Sequence, residues 1–203
     1  MCIICLKKYD INIKELDLES CKRVEYIPEE LTELEVLICN NTNITFLPRY
    51  CTKIKVLDCS NTRVIKIPSR YVKLEMLNIF STFIQELSSR FKNLKILYCG
   101  NTKIKEIPNN YKKLEELDCS ATEVIHLSKN YRELKFLNIS NTKINSIPDE
   151  YRMLEELDCN HTNITTLSNK YTNMVMLNCG WTDISTIPYT YTKIEKIICW
   201  HTN

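Results

Sequence analysis

Glycine occurs only twice in the 203 residues, tryptophan twice and histidine three times. So little glycine argues against folds built on Gly-rich phosphate loops or Gly-turned hairpins. No apolar run approaches the roughly 20 residues of a membrane-spanning helix. The N-terminal stretch MCIICLKKYDIN is apolar but has no basic residues before it and no small-residue cleavage site, which argues against a secretory leader. An excess of one charge is missing too. The 27 Lys and Arg balance 25 Asp and Glu, so nothing pulls the whole chain toward nucleic acid or an acidic membrane. His126, His161 and His201 are far apart, and no nucleophile, base and carboxylate converge. The expectation is a protein that is not an enzyme and needs no cofactor or metal.

What is present is enough apolar material for a core, 44% of residues, and 11 cysteines. Without a leader, that many thiols point to a reducing, cytoplasmic location. The main signal is repetition. LEELDCSAT at 114–122 returns as LEELDCNHT at 154–162, and from Leu34 onward the chain divides into rows of twenty without insertion or deletion. Two such rows read LKILYCGNTKIKEIPNNYKK and LEELDCSATEVIHLSKNYRE. An earlier row from Ile13 carries one extra residue, and the last stops at Asn203. The organisation read from this is an N-terminal cap segment, 1–12, and a solenoid, 13–203, of nine full repeats plus a truncated tenth.

The shared pattern, LxxLxCxxTxIxxIPxxYxx, resembles the leucine-rich repeat in a short variant with Cys for the third Leu and Thr for the usual Asn. That resemblance implies a parallel β-strand per repeat on a concave face, with turns, 3₁₀ or extended segments on the convex face and little α-helix. It also implies a role in binding other macromolecules. The combination of Cys, Thr, Ile-Pro and Tyr is similar to short repeats encoded by large DNA viruses and some microbes.

Each column has a physical reading. Leu97 and Cys99, two apart in one row, face inward on a strand, while Ile96 and Tyr98 face the concave side. Leu94, Ile104, Ile107 and Tyr111 complete the inward set, and no single row can bury it, so the rows must stack. Cys39, Cys59, Cys99, Cys119, Cys159, Cys179 and Cys199 form one column in which Ile79 and Ile139 fill the gaps. A site that accepts isoleucine wants a compact apolar group, and stacked side chains pointing one way are poorly placed for disulfides. Threonine recurs from Thr42 to Thr202 where the chain leaves the strand, and the expectation is a ladder of hydroxyls, each donating to one row and accepting from the next. Twenty residues leave no room for a full helix on the return, and Pro28, Pro48, Pro68, Pro108, Pro148 and Pro188 favour turns there. Tyr71, Tyr111, Tyr131, Tyr151, Tyr171 and Tyr191, with Phe91 in the same column, are read as wall packing.

Function must then sit in the variable concave columns. The residue after each leading Leu alternates in sign from Glu35 and Lys55 to Glu115 and Lys135, a solvated ladder that helps set register. Val36, Val56, Met76 and Ile96, with Phe80, Tyr98 and Phe136 alongside, form an apolar stripe suited to a protein partner. Glu116, Asp118, Glu156 and Asp158, with Glu115 and Glu155, form an acidic zone. Near the C-terminus His161, Trp181 and His201 share a column beside Trp200, a second candidate contact surface. The reading is a protein–protein interaction scaffold that binds an unknown protein partner through the concave face, in a viral or microbial setting a host factor. Two alternatives stand beside it. One is nucleic-acid binding by a basic return flank of Lys92, Lys112, Arg132 and Arg152, which lacks interleaved aromatic rings. The other is a purely structural, self-associating protein. The apolar last strand, KIICW, leads to the expectation of a homodimer paired through it.

Overall fold

A computed structural model describes residues 4–5 and 8–202. Part of the expected segment 1–12 and the final Asn203 therefore lie outside the described residues. Among the described residues ten strands follow one another in chain order: β1 (Glu15–Asp17), β2 (Val36–Ile38), β3 (Val56–Asp58), β4 (Met76–Asn78), β5 (Ile96–Tyr98), β6 (Glu116–Asp118), β7 (Phe136–Asn138), β8 (Glu156–Asp158), β9 (Met176–Asn178) and β10 (Lys196–Ile198). They form one parallel sheet in the order β1 to β10, and no helix occurs among the described residues. The register advances by 20 at each step, as in Leu97 opposite Leu117 and Leu117 opposite Leu137, and by 21 between β1 and β2, where the extra residue lies. A parallel pair needs a crossover. Here each crossover is one turn of the solenoid, made without a helix.

Strands β1 to β9 keep their central side chain inside and their outer two toward solvent, because successive side chains on a strand point to opposite faces, while the central Ile197 of β10 is exposed. Leu94, Leu97, Cys99, Ile104 and Tyr111 have no exposure, and Ile107 is buried as well. The same columns are buried from repeat to repeat, so one continuous core runs along the solenoid axis. Inter-repeat hydrogen bonds continue past the strand: Cys99 N–H donates to the Asp118 carbonyl and Asn101 N–H to that of Ser120, both at 2.8 Å. On the return, Tyr71 N–H donates to the Pro68 carbonyl at 3.1 Å and Leu74 N–H to the Tyr71 carbonyl at 3.2 Å. Two successive turns, hinged on the tyrosine, replace the helix.

The residue before each threonine of the column is left-handed, as is Ser20 before Cys21, with φ between 50 and 58 degrees at these ten positions. Neither glycine is among them. Asn41, Asn61, Asn101 and Asn141 occupy four of the ten, the residue type after glycine that best tolerates this region. Ala121, His161, Trp181 and His201 occupy it without that ease. The glycines answer a different need. A Cβ on Gly100 would lie 2.8 Å from Ser120 Oγ and 3.0 Å from both Asp118 Oδ1 and a Phe80 ring carbon, so the missing side chain is what lets those groups close over the backbone.

The expected threonine ladder is not what the hydroxyls make. Each threonine of the column, at every twentieth position from Thr42 to Thr202, donates to the carbonyl three residues earlier in its own repeat, at 2.6 to 3.0 Å. That carbonyl belongs to the cysteine-column residue, the last inward group before the turn, and the hydroxyl is the nearest donor to it. Of the repeated columns, it is the tyrosines whose hydroxyls cross between repeats. Tyr111, Tyr151 and Tyr191 donate to the carbonyls of Ser88, Ser128 and Ser168, and Tyr131 donates to those of Ile107 and Pro108. The tyrosine column is wall packing with a polar stitch.

Candidate functional site on the sheet face

The solvent face of the sheet, the concave face of the sequence reading, presents the first and third residues of every strand. Its charges are ordered in pairs. Lys55 Nζ meets Glu35 at 2.6 Å, Lys95 meets Glu75 at 3.0 Å and Lys135 meets Glu115 at 2.8 Å. The hydrogen bond from Lys55 holds the Glu35 carboxyl below its usual range, and Lys135 does the same for Glu115. In the third-residue column an asparagine likewise follows each of three aspartates, with Tyr98 standing between the first pair and the second. Asn78 donates to Asp58 at 3.0 Å, Asn138 to Asp118 at 3.1 Å and Asn178 to Asp158 at 3.0 Å. Carboxylates stacked on every strand about 4.8 Å apart would repel, and an intervening amide removes that cost. This alternation accounts for the echo between 114–122 and 154–162.

Met76, Ile96 and Phe136 lie on β4, β5 and β7 in one registered column, with Glu116 of β6 between the last two. They are half-buried, because neighbouring strands cover one another's long side chains; Tyr98 is half-buried too, and Phe80 only just exposed at 37%. The Tyr98 phenol donates to the Glu116 carboxylate. Burial, and then that hydrogen bond, push the Tyr98 ionisation up to about 12. Asp118 is fixed by the backbone N–H and hydroxyl of Ser120, at 2.8 and 2.6 Å. Asp158 takes the backbone N–H of Asn160 at 3.1 Å. Glu155 and Glu156 are exposed.

The C-terminal candidates form a separate group at the left-handed turns. His161, Trp181 and His201 stack, with ring centroids 5.2 Å apart for the first pair and 4.0 Å for the second. The imidazoles therefore cover the two faces of the indole, and Trp181 offers its edge. Trp200 is 73% exposed beside them. Among the described residues no group of three or more His, Cys, Asp or Glu is placed to hold a metal ion.

The described column cysteines before Cys199 are buried, and burial pushes their thiols upward, Cys179 to about 11. Such thiols are packing groups, poorly suited to nucleophilic chemistry. Exposed apolar side chains outside the sequence reading include Tyr26, Phe46, Ile65 and Phe83, on the segments that follow the left-handed turns. The signal was available, since Tyr26 and Phe46 stand on successive repeats in a column that is otherwise polar through Lys66, Glu86 and Glu106.

No protein-family model matches the chain, and no curated protein matches it by sequence. Solved structures do match. An internalin, InlF, from Listeria monocytogenes superposes with a TM-score of 0.81 at 21% identity, over 86% of this chain and 56% of that one. The functional domain of InlJ from the same species, whose structure includes a cysteine ladder, matches with a TM-score of 0.73 at 22% identity, over 93% of this chain and 46% of its own. The leucine-rich-repeat ectodomain of the Arabidopsis thaliana receptor kinase GASSHO1/SCHENGEN3, solved in complex with Casparian strip integrity factor 2, matches with a TM-score of 0.76 at 18% identity, over 92% of this chain and 26% of its own. The chain thus spans about half the length of the two Listeria structures. Likeness at these identities establishes architecture, and the chain folds as a leucine-rich-repeat solenoid with one parallel strand per twenty-residue turn.

Proposed function

We propose that the chain is a non-enzymatic scaffold that binds a protein partner across the open face of its sheet. The observation that carries this reading is the apolar side chains of Met76, Ile96, Tyr98 and Phe136 on that face, held in register from β4 to β7. Conserving the inward columns serves the fold, whereas these positions vary from repeat to repeat, as a recognition surface requires. The complex in which one structural neighbour, the Arabidopsis thaliana receptor-kinase ectodomain, was solved supports this use of the fold.

The test compares capture by the wild type, by Tyr98→Ala/Phe136→Ala and by Trp181→Ala/Trp200→Ala, each first shown to be folded. A partner lost from the first variant and kept by the second supports the sheet face. Equal capture by all three removes it. The viral or microbial setting, with a host factor as partner and a cytoplasmic location, belongs to the same proposal on the strength of the sequence resemblance, and fractionation of expressing cells checks the location. Self-association is a further part: Ile197 on β10 is 42% exposed, an apolar strand surface on which a second copy would pair. A monomer by light scattering at micromolar concentration would remove that part.

A further inference from the structure

The charge on the sheet face is not spread evenly. From β2 to β5 the lysines answer the glutamates, as the pairs Glu35–Lys55 and Glu75–Lys95 show. Across β6 to β8, Glu115, Glu116, Asp118, Glu155, Glu156 and Asp158 face one lysine, Lys135, which is held by Glu115 at 2.8 Å. The alternation fails at Val175, where a lysine is due opposite Glu155. Other groups on this surface position the carboxylates without cancelling them. Tyr98 donates to Glu116, Ser120 and Asn138 donate to Asp118, and Asn160 and Asn178 donate to Asp158, all of them neutral. This end of the sheet is therefore built to meet positive charge.

Its geometry selects the form of that charge. Glu116 with Asp118 on β6, and Glu156 with Asp158 on β8, are separated by the uncharged Phe136 and Asn138 of β7. Two strand spacings put the acidic pairs about 9.6 Å apart along the solenoid axis. The strands are three residues long, so the floor measures about 7 Å from first to last Cα. That is narrower than an α-helix with its side chains, at about 10–12 Å. An extended chain of the polyproline type fits instead. It repeats every three residues and advances about 9.3 Å in doing so, which sets side chains three apart on one side at the spacing of the acidic pairs. Phe136 lies midway, and Phe80 and Tyr98 border the β6 end, offering apolar surface to the aliphatic stems of basic residues.

We propose that the partner seated on the sheet face is an extended basic segment with two cationic side chains three residues apart, one over Glu116 and Asp118 and the other over Glu156 and Asp158. This rests on the reading that the sheet face binds protein, and it names the chemistry of the partner.

The experiment uses the full chain and fluorescein-labelled polyproline peptides read by fluorescence anisotropy. One peptide carries two arginines three apart, an isomer carries them adjacent, and a third carries two glutamates three apart. The spaced peptide is expected to bind about two- to fivefold more tightly than the isomer, one exposed ion pair being at stake. Glu116→Gln/Glu156→Gln should weaken it about three- to thirtyfold, and Glu35→Gln/Glu75→Gln, on the self-compensated repeats, should leave it unchanged. Equal binding of the spaced peptide and its isomer, equal loss in both double variants, or no binding of either basic peptide each overturns the proposal. Should the peptides fail while Tyr98→Ala/Phe136→Ala still loses its captured partner, protein binding by the face stands and the basic segment alone falls. If that variant captures its partner as well as the wild type, the reading of the face falls and the basic segment with it.

Discussion

The tyrosine column gives the most direct check on how the repeats are joined. Tyr131 has no exposure, and its hydroxyl donates to the carbonyls of Ile107 at 2.9 Å and Pro108 at 3.2 Å in the preceding repeat. Tyr131→Phe removes that donor and nothing else of consequence. The ring still packs 6.4 Å from that of Tyr151, and Phe91 shows that the column accepts the smaller residue fully buried. The Pro108 carbonyl keeps the Tyr111 N–H as a partner at 3.3 Å, so the main loss falls on Ile107. A buried hydrogen bond with one acceptor stranded is worth about 1–2 kcal/mol. For a chain of this length each kcal/mol moves the thermal midpoint by about 2–4 °C, so the expected fall is about 2–8 °C by circular dichroism. Phe91→Tyr is the mirror experiment. Its new hydroxyl would sit 23 residues past Pro68, the offset at which Tyr111 finds Ser88, and the midpoint should rise. An unmoved midpoint in Tyr131→Phe would refute the stitch and return the column to plain packing.

Four other outcomes follow from the same geometry. Thr122→Val should cost about 1–3 kcal/mol in urea unfolding, and because the bond to Cys119 closes within one repeat, Thr122→Val/Thr142→Val should be additive to within about 0.5 kcal/mol; a larger coupling would restore the ladder. Burial raises the thiols of Cys51 to about 12 and of Cys179 to about 11, against roughly 8.5 when unfolded. The folded chain therefore keeps protons that the unfolded chain releases, so stability is full below about pH 8.5 and falls as pH rises through the folded values; a urea midpoint level from pH 7 to pH 10.5 contradicts this. Gly100→Ala places a methyl against Ser120, Asp118 and Phe80 and should destabilise by about 1–3 kcal/mol, more than Gly180→Ala, whose nearest contact is 3.2 Å; reversed ranks by urea unfolding count against it. Ala121→Asn, at φ 50 degrees, should stabilise by about 0.5–1 kcal/mol in the same assay, and a loss would show that the turn is not strained.

What the repeat makes every turn do was legible from composition and spacing. Leu97 and Cys99 read as inward because they stand two apart, and isoleucine at 79 and 139 already marked the cysteine column as a packing site. A hydroxyl's target was less legible than its presence. Threonine satisfies the carbonyl three residues behind it, and no column statistic separates that local bond from one across repeats. For tyrosine a signal existed. A wall that wanted only an aromatic ring would mix Phe and Tyr freely, yet Phe appears once, at 91, against six tyrosines from 71 to 191. The left-handed turns had one as well, in the asparagines that precede Thr42, Thr62, Thr102 and Thr142 in a chain so short of glycine.

Recognition has the opposite signature, and the scaffold helps to expose it. A twenty-residue period reports what all repeats share, so a residue serving one repeat appears as a break in its column. Between β2 and β9, Glu116 and Glu156 interrupt a column that otherwise reads Val36, Val56, Met76, Ile96, Phe136 and Met176. Val175 interrupts one that alternates Glu and Lys. Each break costs something locally: Glu116, half-buried, and Glu156, exposed, gather beside other carboxylates, and a lysine that would have screened them is missing. Nothing in the packing of β6 to β8 repays that cost, since the leucines beneath, Leu117, Leu137 and Leu157, are buried as fully as any in the chain. A cost that the fold does not recover points to a gain made on contact with something positively charged, which is why these breaks, more than the regular stripe beside them, mark the surface to test first.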